Sequence, residues 1–256
     1  EKNAQGVRRF VCGLCKKVLL STAAAKLADA MFSLASIDAL GAWTGALGYC
    51  LQLYFDFSGY SDMALGLGLL FGVQLPENFR HPYCAGSVTE FWRRWHMTLS
   101  GWFRDYVYIP LGGSRKGRAR TVFNKLLVFL ATGLWHGTGW TFVLWGLWHG
   151  VFCGAETLLD RKHTLQTHWY GHVYTLLVVI FGFVLFRAES LPQALMLLRT
   201  MLSGFTPVDA CRLALRNLLT VRTAVWCFVG VLACLPVWEH AKARFDGSRW
   251  LSPALD

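Results

Sequence analysis

The chain is 256 residues long, 54% hydrophobic and 16% charged, with 12 Trp and 18 Phe. Water-exposed globular domains carry about 25% charged residues, so a water-surrounded fold is a poor match. The net charge of +10 would suit nucleic acid as a partner, but the placement of the charge argues otherwise. Its basic residues cluster at 8–26, at 93–125 and at Arg161 and Lys162, beside apolar segments, as in cytoplasmic loops of membrane proteins.

Charged residues are absent between Lys125 and Glu156 and between Lys162 and Arg187. Shorter uncharged runs separate Asp38 from Asp56, Asp62 from Glu77, and Arg222 from Glu239. A membrane-crossing helix needs roughly 17–25 mostly apolar residues, and several of these runs supply them. The pattern predicts an all-α, multi-pass transmembrane protein with amphipathic or re-entrant helices, built as a single membrane domain over 1–256.

In chain order, 6–37 reads as a basic, Ala-rich amphipathic stretch at the membrane interface. Cys12 and Cys15 form a C-x-x-C pair with no second Cys or His pair nearby, so it is read as structural and no metal is expected. Residues 40–76 read as a helical hairpin, 40–56 and 62–76, turning at 57–61, which leaves 77–121 as a cytoplasmic loop. Within that loop, Ser87 and Glu90 make a capping box ahead of an amphipathic helix over 87–104. Val88, Phe91, Trp92, Trp95, Leu99, Trp102 and Phe103 share one face of that helix, and His96 sits at its edge, turned inward. The segment 122–158 is too long for one crossing and contains Gly137-Thr138-Gly139, which predicts two helices flanking a break. Further membrane helices are expected over 164–256, with spans at 164–186 and 223–238 and an amphipathic connector at 191–204.

Ionisable groups inside a membrane are expensive and mark function. His136 lies in the long uncharged run, at the glycine break. Such an imidazole loses solvation for its charged form and stays a neutral base. The freed N–H groups of the break are placed to bind an oxyanion. His149, thirteen residues on, would face nearly the opposite way on one continuous helix, so the two share a site only if the break reorients them. Asp56 and Asp62 bracket 57–61 and read as histidine-orienting or helix-capping groups.

Five segments resemble the core of the bacterial membrane-bound O-acyltransferases, in order and in spacing. They are 54–64 (YFDFSGYSDMA), 75–83 (LPENFRHPY), 91–100 (FWRRWHMTLS), 102–113 (WFRDYVYIPLGG) and 132–150 (TGLWHGTGWTFVLWGLWHG). The alginate O-acetylation branch is the nearest, with the D-alanyl transferases of teichoic acid modification as relatives. The resemblance implies that His136 is the essential membrane histidine and His96 the second signature residue. Trp135, Arg93, Arg94, Asp56 and Asp62 follow as supporting or substrate-binding candidates. It also implies a cytoplasmic acyl-thioester donor, acetyl-CoA, and a hydroxyl acceptor on an extracytoplasmic polysaccharide or an acyl-carrying partner protein. No bound cofactor is expected, and the setting would be the bacterial inner membrane. Family members are about twice as long, so the chain is expected to be the C-terminal half of such a protein. The alternative readings are D-alanyl transfer to teichoic acid by the same family and a His-lined membrane transporter or channel.

Overall fold

A computed structural model describes residues 2–160 and 164–236, and every regular element among them is helical. Arg161, Lys162 and everything after Pro236, including the end of the 223–238 span, lie outside the described residues.

The chain opens with α1 (Lys2–Cys15), a π-helical stretch (Lys16–Ser21) and α2 (Thr22–Ser33), joined without a break because the residues at both junctions keep helical dihedrals. This long rod packs antiparallel on α3 (Ala39–Leu70), a single helix of 32 residues and thus about 48 Å. The pairing brings Gly13 against Gly59 and Gly6 against Gly66, and a Cβ built on Gly13 would lie 2.5 Å from the Gly59 carbonyl oxygen. Only hydrogen side chains permit that approach, which is the small-residue packing of membrane helices.

The helical hairpin expected over 40–76 is corrected by the structure. The segment is one helix through position 70, because Gly59 packs directly on Gly13 of the N-terminal rod and gives the chain no reason to turn. The rod satisfies the carboxylates that suggested a turn: Asp62 accepts from Arg9 (2.9 Å) and Lys16 (2.6 Å), and Asp56 pairs with Lys17. In the 6–37 stretch, Ala24, Ala28 and Met31 of α2 are at most 1% exposed, so one face of it packs into the protein.

Beyond α3 come α4 (Val88–Arg94) and α5 (Met97–Phe103), then α6 (Arg118–His136) and α7 (Trp140–Leu159). The single 87–104 helix of the sequence reading is two short ones. The break falls at Trp95 and His96, where His96 takes a left-handed φ of 45°. The loop before α4 holds that break open: Arg80 N–H donates to the Arg94 carbonyl (3.0 Å) and Met97 N–H to the Asn78 carbonyl (3.0 Å). The 122–158 segment does divide at Gly137–Gly139, and α7 folds back along α6 with Gly146 against Gly133.

The remainder is α8 (Trp169–Arg187), α9 (Leu191–Ser203), α10 (Asp209–Leu218) and α11 (Val221–Cys234). Only α9 and the two longer helices were legible beforehand; α10 is amphipathic and too polar to stand out. Among the described residues, α7 and α8 are long and apolar enough to cross a membrane, and α10 with α11, bent by 83°, would make a third span if counted as one. The core joins α2, α3, α8 and α9 through Met31, Tyr49, Phe55, Phe183 and Leu197, and Phe91 and Trp95 of the α4 segment close it.

Candidate active site around two histidines

His136 is the last residue of α6, and the Gly137–Gly139 turn ends the helix there. The turn brings α7 and α8 around the ring. Trp145 meets it edge-on at 5.1 Å between centroids, Phe186 at 5.2 Å, and its neighbour Trp135 at 4.9 Å. The imidazole is half-buried, and no hydrogen bond to its ring occurs among the described residues. Trp135 itself is 61% exposed and points outward, so of the pair only the histidine faces the interior.

His96 occupies the break between α4 and α5. Phe57 of α3 packs edge-on against its ring at 4.6 Å, and its Nδ1 lies 3.2 Å from Asn78 Oδ1. His96 is within electrostatic reach of His136. The two imidazoles, forty residues apart, therefore lie in one region, each packed against aromatic rings. His149 joins it too: the reversal at Gly137–Gly139 places its ring 5.4 Å from the same Trp145 that His136 touches, and Trp92 stands 5.1 Å from His149.

Two hollows with part of their lining in common lie beside this region. The outer one, about 660 Å³, is lined by Arg93, Arg118, Lys125, Tyr108 and Glu156. The inner one, about 230 Å³, shares Thr89, Arg93, Tyr108 and Lys125 with it and continues past Trp92, Phe103 and Phe129 to Thr132, one turn before His136. A basic hollow thus adjoins an aromatic one, whose wall includes Trp92 and Phe129, the rings that pack on His149. Lys125 is held in place by the Cys153 carbonyl (3.1 Å) and Thr157 Oγ1 (2.8 Å).

The other sequence candidates separate. Arg93 lines both hollows, whereas Arg94 is locked in a salt bridge to Glu90. Asp56 and Asp62 bind the N-terminal rod and are partnered away from both histidines. Asp62 is an interior residue of α3 and caps no helix.

Sequence reasoning did not single out Asn78, Glu156 or Trp145. Asn78 lies inside the quoted 75–83 segment, but nothing in one sequence shows that this loop folds back on His96. Glu156 reads as an ordinary end-of-helix acid. In the fold it is 8% exposed and accepts from the backbone N–H groups of Val88 (2.6 Å) and Thr89 (2.9 Å), fastening α4 to α7.

Residues 2–197 match the model of the MBOAT, or membrane-bound O-acyltransferase, family. A probable alginate O-acetylase of Azotobacter vinelandii is 47% identical over 198 residues, covering 76% of this chain and 39% of that protein. A peptidoglycan O-acetyltransferase of Helicobacter pylori is 44% identical over 216 residues, covering 82% of this chain and 41% of that protein. A teichoic acid D-alanyltransferase of Bacillus subtilis is 32% identical over 157 residues, covering 56% and 40%. The chain thus spans about two fifths of the length of these relatives. With more than half of its residues inside the family model, this chain belongs to the membrane-bound O-acyltransferase family.

Proposed function

We propose that the full protein moves an acetyl group from a cytoplasmic thioester, acetyl-CoA, to a hydroxyl of an exported polysaccharide such as alginate, at the bacterial inner membrane. The observation that carries this reading is a basic hollow adjoining an aromatic one whose wall reaches Thr132, one turn before His136 on the same helix. Arg93, Arg118 and Lys125 in the basic hollow suit the phosphates of a coenzyme, because cations in a partly dehydrated cleft bind phosphate strongly. The aromatic hollow suits the thin, uncharged arm that bears a thioester. The basic residues of 93–120 put the basic hollow on the cytoplasmic side by the positive-inside bias.

In this mechanism His136 takes the proton of the acceptor hydroxyl as its oxygen attacks the thioester carbonyl. A new C–O bond forms, the C–S bond breaks, and the departing sulfur leaves with the proton. General-base assistance of this kind is worth typically 10²–10⁴-fold. The backbone beyond His136 supports the carbonyl oxygen as charge builds on it: the Gly137 N–H closes α6 on the Gly133 carbonyl, which leaves the Thr138 and Gly139 amides at the helix break for that role. The polysaccharide rather than teichoic acid is favoured by the relatives, since identity is 47% to the probable alginate O-acetylase and 32% to the D-alanyltransferase.

The test is reconstitution of the full-length protein in proteoliposomes with radiolabelled acetyl-CoA on the side of the basic hollow. Alginate, peptidoglycan fragments and teichoic acid are supplied in separate arms, and ion flux is recorded in parallel. Label appearing on alginate with no protein-dependent flux supports the reading. Flux without label on any acceptor would replace it with the transporter reading, and label on a different polymer would move the acceptor.

A further inference from the structure

The contacts of Asn78 fix where the proton sits on His96. Asn78 Oδ1 lies 3.3 Å from the backbone N–H of Thr98, 3.0 Å from Thr98 Oγ1 and 3.2 Å from His96 Nδ1. A backbone N–H can only donate, so the oxygen and not the amide nitrogen of Asn78 must face it. This settles the side-chain orientation, which distances alone leave open. The opposite end agrees, since Asn78 Nδ2 donates to Ser61 Oγ at 3.1 Å. An amide oxygen can only accept, so His96 Nδ1 must carry the hydrogen. The neutral ring is then the Nδ1–H tautomer, and Nε2 bears the lone pair.

The backbone reinforces the clamp. Asn78 accepts from Met97 N–H through its own carbonyl, so one residue satisfies the first two N–H groups of α5. These contacts bracket the left-handed His96, a conformation that non-glycine residues adopt only when their surroundings hold them there. Phe57 on the other face limits rotation of the ring.

We propose that Asn78 is a positioning residue that holds His96 as the Nδ1–H tautomer, making Nε2 a proton acceptor. This rests on the acyl-transfer reading for its chemical consequence, though not for the tautomer itself. With Nε2 bare, neutral His96 has no hydrogen to offer an oxyanion and is confined to proton traffic. It receives at Nε2 the proton that His136 has taken from the hydroxyl, and releases it to the sulfur as the C–S bond breaks. While the ring is charged, Asn78 Oδ1 continues to accept from Nδ1–H and so favours that form.

The test uses isotope-labelled full-length protein in lipid nanodiscs, with histidine nitrogen resonances assigned by loss in His96→Gln. The wild type is expected to show protonated Nδ1 and bare Nε2 at His96. Asn78→Ala should give a mixture of tautomers, and Asn78→Asp, which keeps an acceptor in place, should preserve the wild-type pattern. In acetyl transfer from acetyl-CoA, Asn78→Ala should lower kcat roughly 10²–10⁴-fold, the scale of a misplaced acid–base proton, with little change in KM. Asn78→Asp should recover most of that loss. A wild-type His96 protonated at Nε2 would overturn the proposal, as would a spectrum unaltered by Asn78→Ala or equal loss of kcat in both variants. If the wild type transfers no acetyl group at all, the resonances still decide the tautomer, so that failure falls on the function and not on Asn78.

Discussion

The Glu156 carboxylate of α7 reaches the backbone N–H of Val88, at the start of α4, with 2.6 Å between oxygen and nitrogen. The same group accepts from Thr89, while Ser87 Oγ accepts from the Glu90 N–H. Through this fastening α7, which carries Trp145 and His149, is tied to α4, which carries Trp92 and Arg93. Glu156→Ala leaves donors unsatisfied in a buried place and should lower stability by about 1.5–3 kcal/mol. Glu156→Gln, which keeps one accepting oxygen, should lose less. Thermal unfolding in detergent reads the difference, and equal stability of Glu156→Ala and wild type would contradict the assignment.

The seam between the N-terminal rod and α3 has no room for a side chain where Gly13 meets Gly59. Gly59→Leu should destabilise the protein by about 1–3 kcal/mol, as overpacking does. Gly101, inside α5, is the contrast, because a Cβ there meets nothing within 4 Å. Gly101→Ala should stabilise by about 0.4–1 kcal/mol through the unfolded chain. Unfolding midpoints of the two variants should therefore move in opposite directions.

Asp38 precedes α3 and is 5% exposed. Burial by itself pushes its carboxyl up. The Val208 and Gly41 N–H groups and the Cys211 thiol donate to it, Arg212 is near, and together they bring it below its ordinary value of 3.8. A carboxyl held low in the folded state contributes stability above its unfolded pKa of about 3.9, and that contribution disappears as pH falls through the folded value. The stability gap between wild type and Asp38→Asn should stay constant down to about pH 5 and narrow below about pH 4. Denaturation at a series of pH values measures it; a gap that widens in acid would contradict the sign.

Much of the candidate site was legible from residue types and spacing. The glycine break at 137–139 and the basic, aromatic 91–104 segment marked the two histidine regions, because a helix stops where glycines remove its support and because charge is scarce in this chain. The long α3 was not legible. Ser58, Gly59 and Asp62 are turn-forming residues by local preference, and only the partner helix, with Gly13 and the cations of Arg9 and Lys16, makes them helical. The break at His96 was hidden for a similar reason. A clean apolar stripe predicts one helix, whereas the loop at 78–80 pairs with 94–98 and opens the chain. In both places a distant segment overrules a local pattern, and one sequence holds no record of which distant segment that is.

The central claim is that the imidazole at position 136 takes the proton of the acceptor hydroxyl. Acetyl transfer by full-length His136→Gln in proteoliposomes, set against wild type at equal membrane insertion and equal unfolding midpoint, tests it most directly. The account predicts a loss of roughly 10²–10⁴-fold in kcat. Transfer at the wild-type rate by a correctly inserted His136→Gln protein would contradict it.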